Sequence, residues 1–370
     1  MRHLLSHKRF QALIFILLIL TGLMSCDPFN TRLNPNDVHY YHHDEEPSST
    51  LKSTFPLQIM TWNLKFGGAR IDFFFDCHGD RVIMDSSEVI PHLDSIVSFL
   101  NETRPDILFA QEIDINSKRS AYIDQVEWIL DRTHFSHAVY ASQWRASHIP
   151  SEGLGRMNSG NAIFSVTPLL KAQRIQLPLI EEQNFLVRYF YLRRNLLETS
   201  TLINQDTLRL LNTHLSAYSS DGTKKKQLDI VFSHLDSLDR QGKAFVIGGD
   251  LNTLPPGTSK VKDFPDSACE GDDFQADDHS RATDWMVPFY KRFNPAVPLQ
   301  DYQANNTPYF SHTTDKDGFW NRKLDYIFSN LPISDGSTFQ SNTNGGFRTM
   351  HLSDHCPLAG EIFPISLPQN

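Results

Sequence analysis

Ala244-Phe245-Val246-Ile247-Gly248-Gly249-Asp250-Leu251-Asn252 is an apolar run, rich in branched and aromatic residues, that ends in a carboxylate and an amide. Such a run reads as a buried strand. The two glycines predict its end and a tight turn of the backbone. If strand geometry persists past them, Asp250 and Asn252 lean to one side. A carboxylate there can steer or take a proton, and an amide can donate to an oxyanion. Taken alone the pair is equally an ordinary turn, because Asp and Asn are common turn residues. The rest of the chain has to decide.

With 370 residues, the chain is long enough to bury a full core as one large domain or two small ones. It is 40% apolar and 21% charged, as globular proteins are. The net charge of -9 argues against a dedicated nucleic-acid binder, which carries a basic surface. It leaves open an enzyme that grips phosphate through a metal ion.

Residues 1–25 read as a targeting segment. Arg2, Lys8 and Arg9 precede an almost wholly apolar run, Ala12 to Leu20, too short to span a bilayer comfortably. Leu23-Met24-Ser25-Cys26 resembles the lipobox of bacterial lipoproteins, with Met24 larger than usual at its position. The resemblance implies cleavage before Cys26, a lipid on its sulfur, and an extracytoplasmic protein tethered to a bacterial membrane. A signal cleaved elsewhere, or an uncleaved anchor, is the alternative. Residues 26–55, polar with Pro35, Pro47 and a Ser/Thr run, read as a flexible tether whose histidines are solvated. Past Cys26 only Cys77, Cys269 and Cys356 remain, an odd number, so at least one thiol stays free or pairs between molecules. Cys77 and Cys269 lie in loop-like stretches and could pair. Cys77-His78 hints at zinc, but no second pair has ligand spacing.

The domain is expected over 56–366. Leu57 to Asn63 alternates and reads as its first strand. The insert at 67–85 carries Phe73-Phe74-Phe75 between acids. It could be a lid or a membrane-touching loop, or it could plug the domain's own edge, the commoner use of clustered aromatics. Val89, Leu93, Ile96, Val97 and Leu100 form one helical face, with Ser86 or Ser87 as cap. Ile107 to Ala110 is the next strand, closed by Gln111-Glu112. A second helix runs through Val126, Ile129 and Leu130, a strand through His137 to Tyr140, and a loop through 145–160. Further strands are expected at 161–165, 171–177, 185–192, 196–203 and 207–212. Lys224-Lys225-Lys226 opens a helix as a solvated first turn. The acidic loop after Asn252, from Asp263 to Asp278, lacks EF-hand spacing and reads as a solvated excursion. Late strands cover Asp325 to Phe328, with a buried acid, and Leu358 to Phe363.

Polar residues at strand ends now form a series: Asn63, Glu112, His214, Asp250, Asn252, Asp325, Asp354 and His355. They sit in Thr61-Trp62-Asn63, Gln111-Glu112, Asn212-Thr213-His214-Leu215, Gly249-Asp250-Leu251-Asn252, Leu324-Asp325-Tyr326-Ile327-Phe328 and Ser353-Asp354-His355. In this order the motifs resemble those of the endonuclease/exonuclease/phosphatase superfamily. The resemblance covers nearly the whole chain after the tether. It implies a DNase I-like α/β (α+β) fold: a four-layer sandwich of two packed mixed β-sheets flanked by helices. It also implies roles. Glu112 and Asn63 would hold a divalent cation, Mg²⁺ or Mn²⁺, with Asp354 a second metal-side carboxylate. His214 and His355 would contact the scissile phosphate, and Asp325 would pair with His355. Asp250 would orient or deprotonate the attacking water, and Asn252 would donate to a phosphate oxygen. His92, His134, His148 and His234 are read as structural.

These roles fit phosphoester hydrolysis. A phosphate ester repels anionic nucleophiles, and metal and imidazolium charges neutralise it while water attacks in line. The resemblance therefore implies a metal-dependent phosphoesterase acting on a phosphodiester or phosphomonoester. It is expected as a monomer, with phospholipid head groups among its candidate substrates. The Trp- and Arg-rich signature of inositol-phosphate phosphatases is missing around Asp250 and Asp325. For an extracytoplasmic nuclease, Arg188, Arg193 and Arg194 are the best backbone-gripping candidates, beside an acidic loop. A non-catalytic binding lipoprotein is the third reading, and the presence of all eight site residues speaks against it.

Overall fold

The computed structural model describes residues 27–42, 55–76, 79–204, 206–217, 221–267, 278–315, 318–334, 336–340 and 349–364. The signal segment, Cys26, Cys77, His78, Cys269 and the most acidic part of the 263–278 loop lie outside these residues. Strands β1 (Val38–His42), β2 (Leu57–Asn63), β3 (Ile107–Asp114), β4 (His137–Ile149), β5 (Gly155–Ser165), β12 (Ser337–Thr338) and β13 (Leu358–Ile362) build one sheet, ordered β1-β4-β5-β3-β2-β13-β12. Strands β6 (Gln173–Gln176), β7 (Asn195–Ile203), β8 (Asp206–His214), β9 (Ala244–Asp250), β10 (Asn294–Pro295) and β11 (Asp325–Ser329) build the other, ordered β10-β11-β9-β8-β7-β6. Each sheet is mixed: β2 runs parallel to β3, and β8 to β9, while the other pairs are antiparallel.

Three apolar clusters define the layers. Ile59, Ile107, Phe109, Val139, Leu197, Leu210, Val246 and Ile327 fill the space between the sheets. Helix α1 (Ser86–Thr103) and helix α2 (Gln125–Leu130) cover the outer face of the first sheet through Val89, Leu93, Leu100, Val126 and Ile129. The short helix α3 (Phe185–Phe190) comes next in the chain. Helix α4 (Thr223–Arg240) covers the second sheet with Leu228, Val231, Leu235 and Leu238, beside Phe289 of α5 (Val287–Arg292). Helix α6 (Leu299–Ala304) adds Tyr302 to the cluster between the sheets. Burial of one face of each element against the next gives the expected four-layer sandwich.

Several local expectations give way to tertiary context. Gly248 and Gly249 do not end β9, which runs through both to Asp250. Their value is close approach: a Cβ on Gly248 would lie 2.4 Å from the Phe109 ring, and one on Gly249 would lie 2.1 Å from the Thr213 carbonyl oxygen. The 145–160 segment is not a loop but the long hairpin of β4 and β5, whose register shifts twice. The stretch 185–192 forms α3, capped by the Asn184 side chain accepting from the Val187 amide, rather than a strand. Helix α1 takes Asp85 as its cap residue, one position before the serines. Residues 27–42, expected as part of a tether, are folded. Thr31 and Leu33 are buried, and β1 pairs with β4, so residues 27–42 belong to the domain. Polar composition hid this because an edge strand needs only alternate apolar contacts. The phenylalanine insert packs into the domain: Phe73 is buried, and Phe74 and Phe75 pack against the Trp144 cluster. In the lysine triplet Lys226 is exposed and Lys225 half-buried, whereas Lys224 is buried and donates to the Asn252 carbonyl at 2.6 Å. No helix among the described residues is long and apolar enough to cross a membrane.

Candidate active site

Sheet register brings the polar strand ends together. In the second sheet His214 lies beside Asp250, and Asp250 beside Asp325, on three adjacent strands. In the first sheet Asn63 lies beside Gln111, immediately before Glu112. The sheets are stapled at this end by Asn212, which accepts from Gln111 at 2.8 Å and donates to the Ala110 and Ala162 carbonyls. Ser353 donates to the Asn63 carbonyl at 2.7 Å, and Trp62 donates to the His355 carbonyl at 2.9 Å, which fixes the last motif against β2. Three site residues, Lys65, Glu112 and Asn252, have φ of 43°, 51° and 48°. For side-chain-bearing residues that conformation is strained, and it persists only where the surroundings impose it.

Asp250 is the hub. Its Oδ2 lies 3.3 Å from Asn63 Nδ2, 3.4 Å from His214 Nε2 and 3.5 Å from His355 Nε2. Its Oδ1 accepts the Asn252 amide at 2.9 Å. Burial pushes the carboxyl up to about 7, against the pull of His355 and with the push of Asp325. The two histidines are opposites. Burial disfavours charge on His355, but Asp325 (2.8 Å from Nδ1), Asp250 and Asp354 outweigh it and hold the imidazole up to about 10. Burial lowers His214 well below its ordinary value, and Arg194 and His355 add to the effect. A charged His355 therefore faces a neutral His214 across one carboxylate. Ser311 donates to Asp325 at 2.6 Å and completes the support of the charged ring.

Asn63, Glu112, His214, Asp250, Asn252, Asp325, Asp354 and His355 all meet at this end, with some partners that differ from expectation. Asn63 Oδ1 accepts the Lys65 amide, so its nitrogen braces Glu112 and Asp250, each at 3.3 Å. Asn252 gives one amide hydrogen to the Leu215 carbonyl at 3.0 Å and keeps the second. Asp354 is paired with the ammonium of Lys65 at 3.0 Å and lines the same pocket as Glu112. Lys65, also 2.7 Å from Asp76, is held charged by these carboxylates despite its burial. Asp354 is correspondingly depressed; burial opposes this, and Lys65 and His355 prevail.

Sequence reasoning missed Lys65, Asp76, Arg119, Gln143 and His312, which line the same pocket with Arg194, Phe73, Phe75, Trp144, Ile180, Tyr191 and Leu192. Long-range packing alone brings most of these to the site. Lys65, two residues after Asn63, was the one within reach of motif reading. Arg194, considered as a nucleic-acid contact, is instead buried and donates to Gln143 Oε1 at 2.9 Å. The histidines read as structural that have resolved partners are so: His92 bonds the Gly67 carbonyl, His134 the Pro105 carbonyl and His234 the Glu198 carboxylate.

Fold and site together define a nuclease/phosphatase-type hydrolase. The chain belongs to the Endonuclease/Exonuclease/phosphatase family, whose model matches residues 60–355. Among solved structures it resembles an endonuclease/exonuclease/phosphatase from Beutenbergia cavernae, at 20% identity, covering 83% of this chain and 71% of that one, with TM-score 0.55. The human Nocturnin catalytic domain with bound sulfate gives 15%, 90%, 99% and 0.51 for the same measures. An endonuclease/exonuclease/phosphatase from Bacteroides vulgatus gives 11%, 84%, 99% and 0.50. Identities this low speak for the fold alone. No curated protein matches by sequence.

Enzymes of this family are generally divalent-metal dependent, and the residues here fit a hard cation. Burial and the nearby Asp354 carboxylate both push Glu112 up, so a cation beside it would relieve both. No Lys or Arg among the described residues comes within ion-pair reach of Glu112. Two other groups, His312 with Asp354 and His355, and Asp250 with Asp325 and His355, each gather their ligand-type atoms within 4.8 Å. Asp354 of the first group lines the same pocket as Glu112.

Proposed function

We propose that this protein is an exported, divalent-metal-dependent phosphoesterase that cleaves a phosphodiester by in-line attack of water, with lipid head-group esters as substrates. The observation that carries the reading is the Asp250 carboxylate, ringed within 3.5 Å by Asn63, His214 and His355. Asp250 takes the proton of the attacking water. His355, kept charged by Asp325, donates to a phosphate oxygen from Nε2, and neutral His214 donates one N–H without adding charge. Arg194 supplies further positive potential from the pocket wall. Glu112 would hold Mg²⁺ or Mn²⁺, which would neutralise the phosphate, while Asn63 keeps the Glu112 and Asp250 carboxylates in place. No Ser or Cys nucleophile is required.

The substrate test incubates the protein and Mg²⁺ with phospholipid vesicles, plasmid DNA and small phosphoesters. Lipid head-group release, abolished by a chelator and restored by Mg²⁺, is expected. Cleavage of plasmid alone would replace the lipid reading with a nuclease. Chelator-resistant turnover would remove the metal.

The pH profile follows from Asp250. The water-activating form is the carboxylate, and a raised carboxyl ionises only as pH climbs through its value. Activity should therefore rise through about pH 7 and level off above it. A cation at Glu112 favours the carboxylate, so the rise should move to lower pH as Mg²⁺ increases. A flat profile across two pH units either side of the Asp250 value of about 7, at limiting Mg²⁺, would remove it from the base role.

A further inference from the structure

We infer that helix α3 is a ledge that docks on a lipid surface and sets the mouth of the active-site pocket against it. The helix has no buried residue, and Phe185, Leu186 and Val187 are 66%, 68% and 44% exposed. Three consecutive large apolar side chains in solvent are unusual and mark an interaction surface. The helix is also the outward excursion of the pocket's own rim. Ile180 before it, and Tyr191 and Leu192 after it, line the pocket that holds Asp250 and His355.

Two further observations select a lipid surface as the occupant. The first is where the chain leads. Asp27 and Phe29 are fixed on this helix: the Tyr189 hydroxyl donates to Asp27, and Phe29 packs edge-on against Tyr189 and Phe190, with centroids 6.4 Å and 5.2 Å away. Residue 27 follows Cys26, the residue that the lipobox resemblance marks for lipid attachment. A lipid there would enter the bilayer beside α3, with no tether between. The second is charge. Arg188 and Arg193 lie on this segment; burial is the largest influence lowering Arg193, and the nearby Arg32 and Arg188 add to it. Asp27 offsets part of this, and Glu181 is tied to Lys226 at 2.9 Å. Apolar side chains beside a cluster of arginines are the composition of a segment that lies in an anionic membrane interface.

The inference deepens the lipid reading above, and its test separates the two. Phe185→Ser, Leu186→Ser and Val187→Ser are combined in the full chain, so parent and variant share the same N-terminus. Hydrogen exchange is followed with and without vesicles of phosphatidylglycerol and phosphatidylcholine. Vesicles should slow exchange of the parent's 185–190 amides several-fold, and the variant should show no slowing there. Turnover of vesicle lipid should fall tenfold or more in the variant, with a water-soluble phosphodiester hydrolysed within twofold of the parent. Unchanged α3 exchange on adding vesicles would overturn the ledge. So would protection without vesicles that is lost on deleting residues 1–25, since the chain's own leader would then cover the face. The exchange measurement needs no turnover. Protection of α3 in a protein that hydrolyses no phosphoester would uphold the ledge and end the phosphoesterase reading.

Discussion

Asp250→Asn is expected to lower kcat/KM on a phosphodiester by about a hundred- to ten-thousandfold, the range for losing a positioned base. The asparagine keeps the size and the oxygen that accepts the Asn252 amide. It cannot take a proton, and its uncharged side chain no longer helps to hold His355 charged. The loss should appear in kcat, because proton transfer belongs to the transition state. A variant with turnover within threefold of the parent would move the base elsewhere.

The same substitution has an opposite signature in stability, which guards against reading a misfolded variant as a catalytic one. A carboxyl whose folded value lies above its unfolded one keeps a proton that the unfolded chain has released. Between the unfolded value, about 4, and the folded value of about 7, stability therefore falls as pH rises. An uncharged asparagine side chain at this position removes that loss. Compared with the parent, the Asp250→Asn variant should gain more in Tm at pH 8 than at pH 4. A lower Tm at both would point to a structural role.

How far the chain could be read in advance depended on where each residue's information lies. Asn63, Glu112, His214, Asp250, Asp325 and His355 were legible because each stands at or near a strand end in a recognisable short motif. Arg119 was not, since nothing in its neighbours says that the chain turns back into the site. The Gly248-Gly249 pair was misread for an instructive reason. Glycine serves turns and close approaches alike, and only the ring of Phe109, on the other sheet, distinguishes them. Phe185 to Phe190 looked like a strand by side-chain type, but the Asn184 cap and the lack of a partner strand made it helical. Residues 27–42 were hidden by composition, because half of an edge strand faces water. The substrate is a separate matter: the short motifs bear on the cleavage chemistry, whereas the pocket wall and α3 come from segments outside them.

The pocket wall supplies the largest expected effect on stability. Asp114 is fully buried at the end of β3 and accepts both Nε and Nη2 of Arg119 at 2.9 Å, with the Ser120 hydroxyl at 2.9 Å. Arg119 in turn donates to Ser159 and lies 3.7 Å from the centre of the Phe66 ring, with Phe73 and Trp144 beyond at 5.3 Å and 5.6 Å. One guanidinium thus carries the aromatic side of the pocket. Asp114→Asn leaves a buried cation without its counter-charge and should cost about 3–5 kcal/mol in denaturant unfolding. Arg119→Met leaves a buried carboxylate and should cost a similar amount, even though methionine fills much of the volume. The double variant should be more stable than either single one, because desolvating two charges is what their attraction offsets. Costs that simply add would mean that the pair is uncoupled, and that Phe66, Phe73 and Trp144 hold the wall by their own packing.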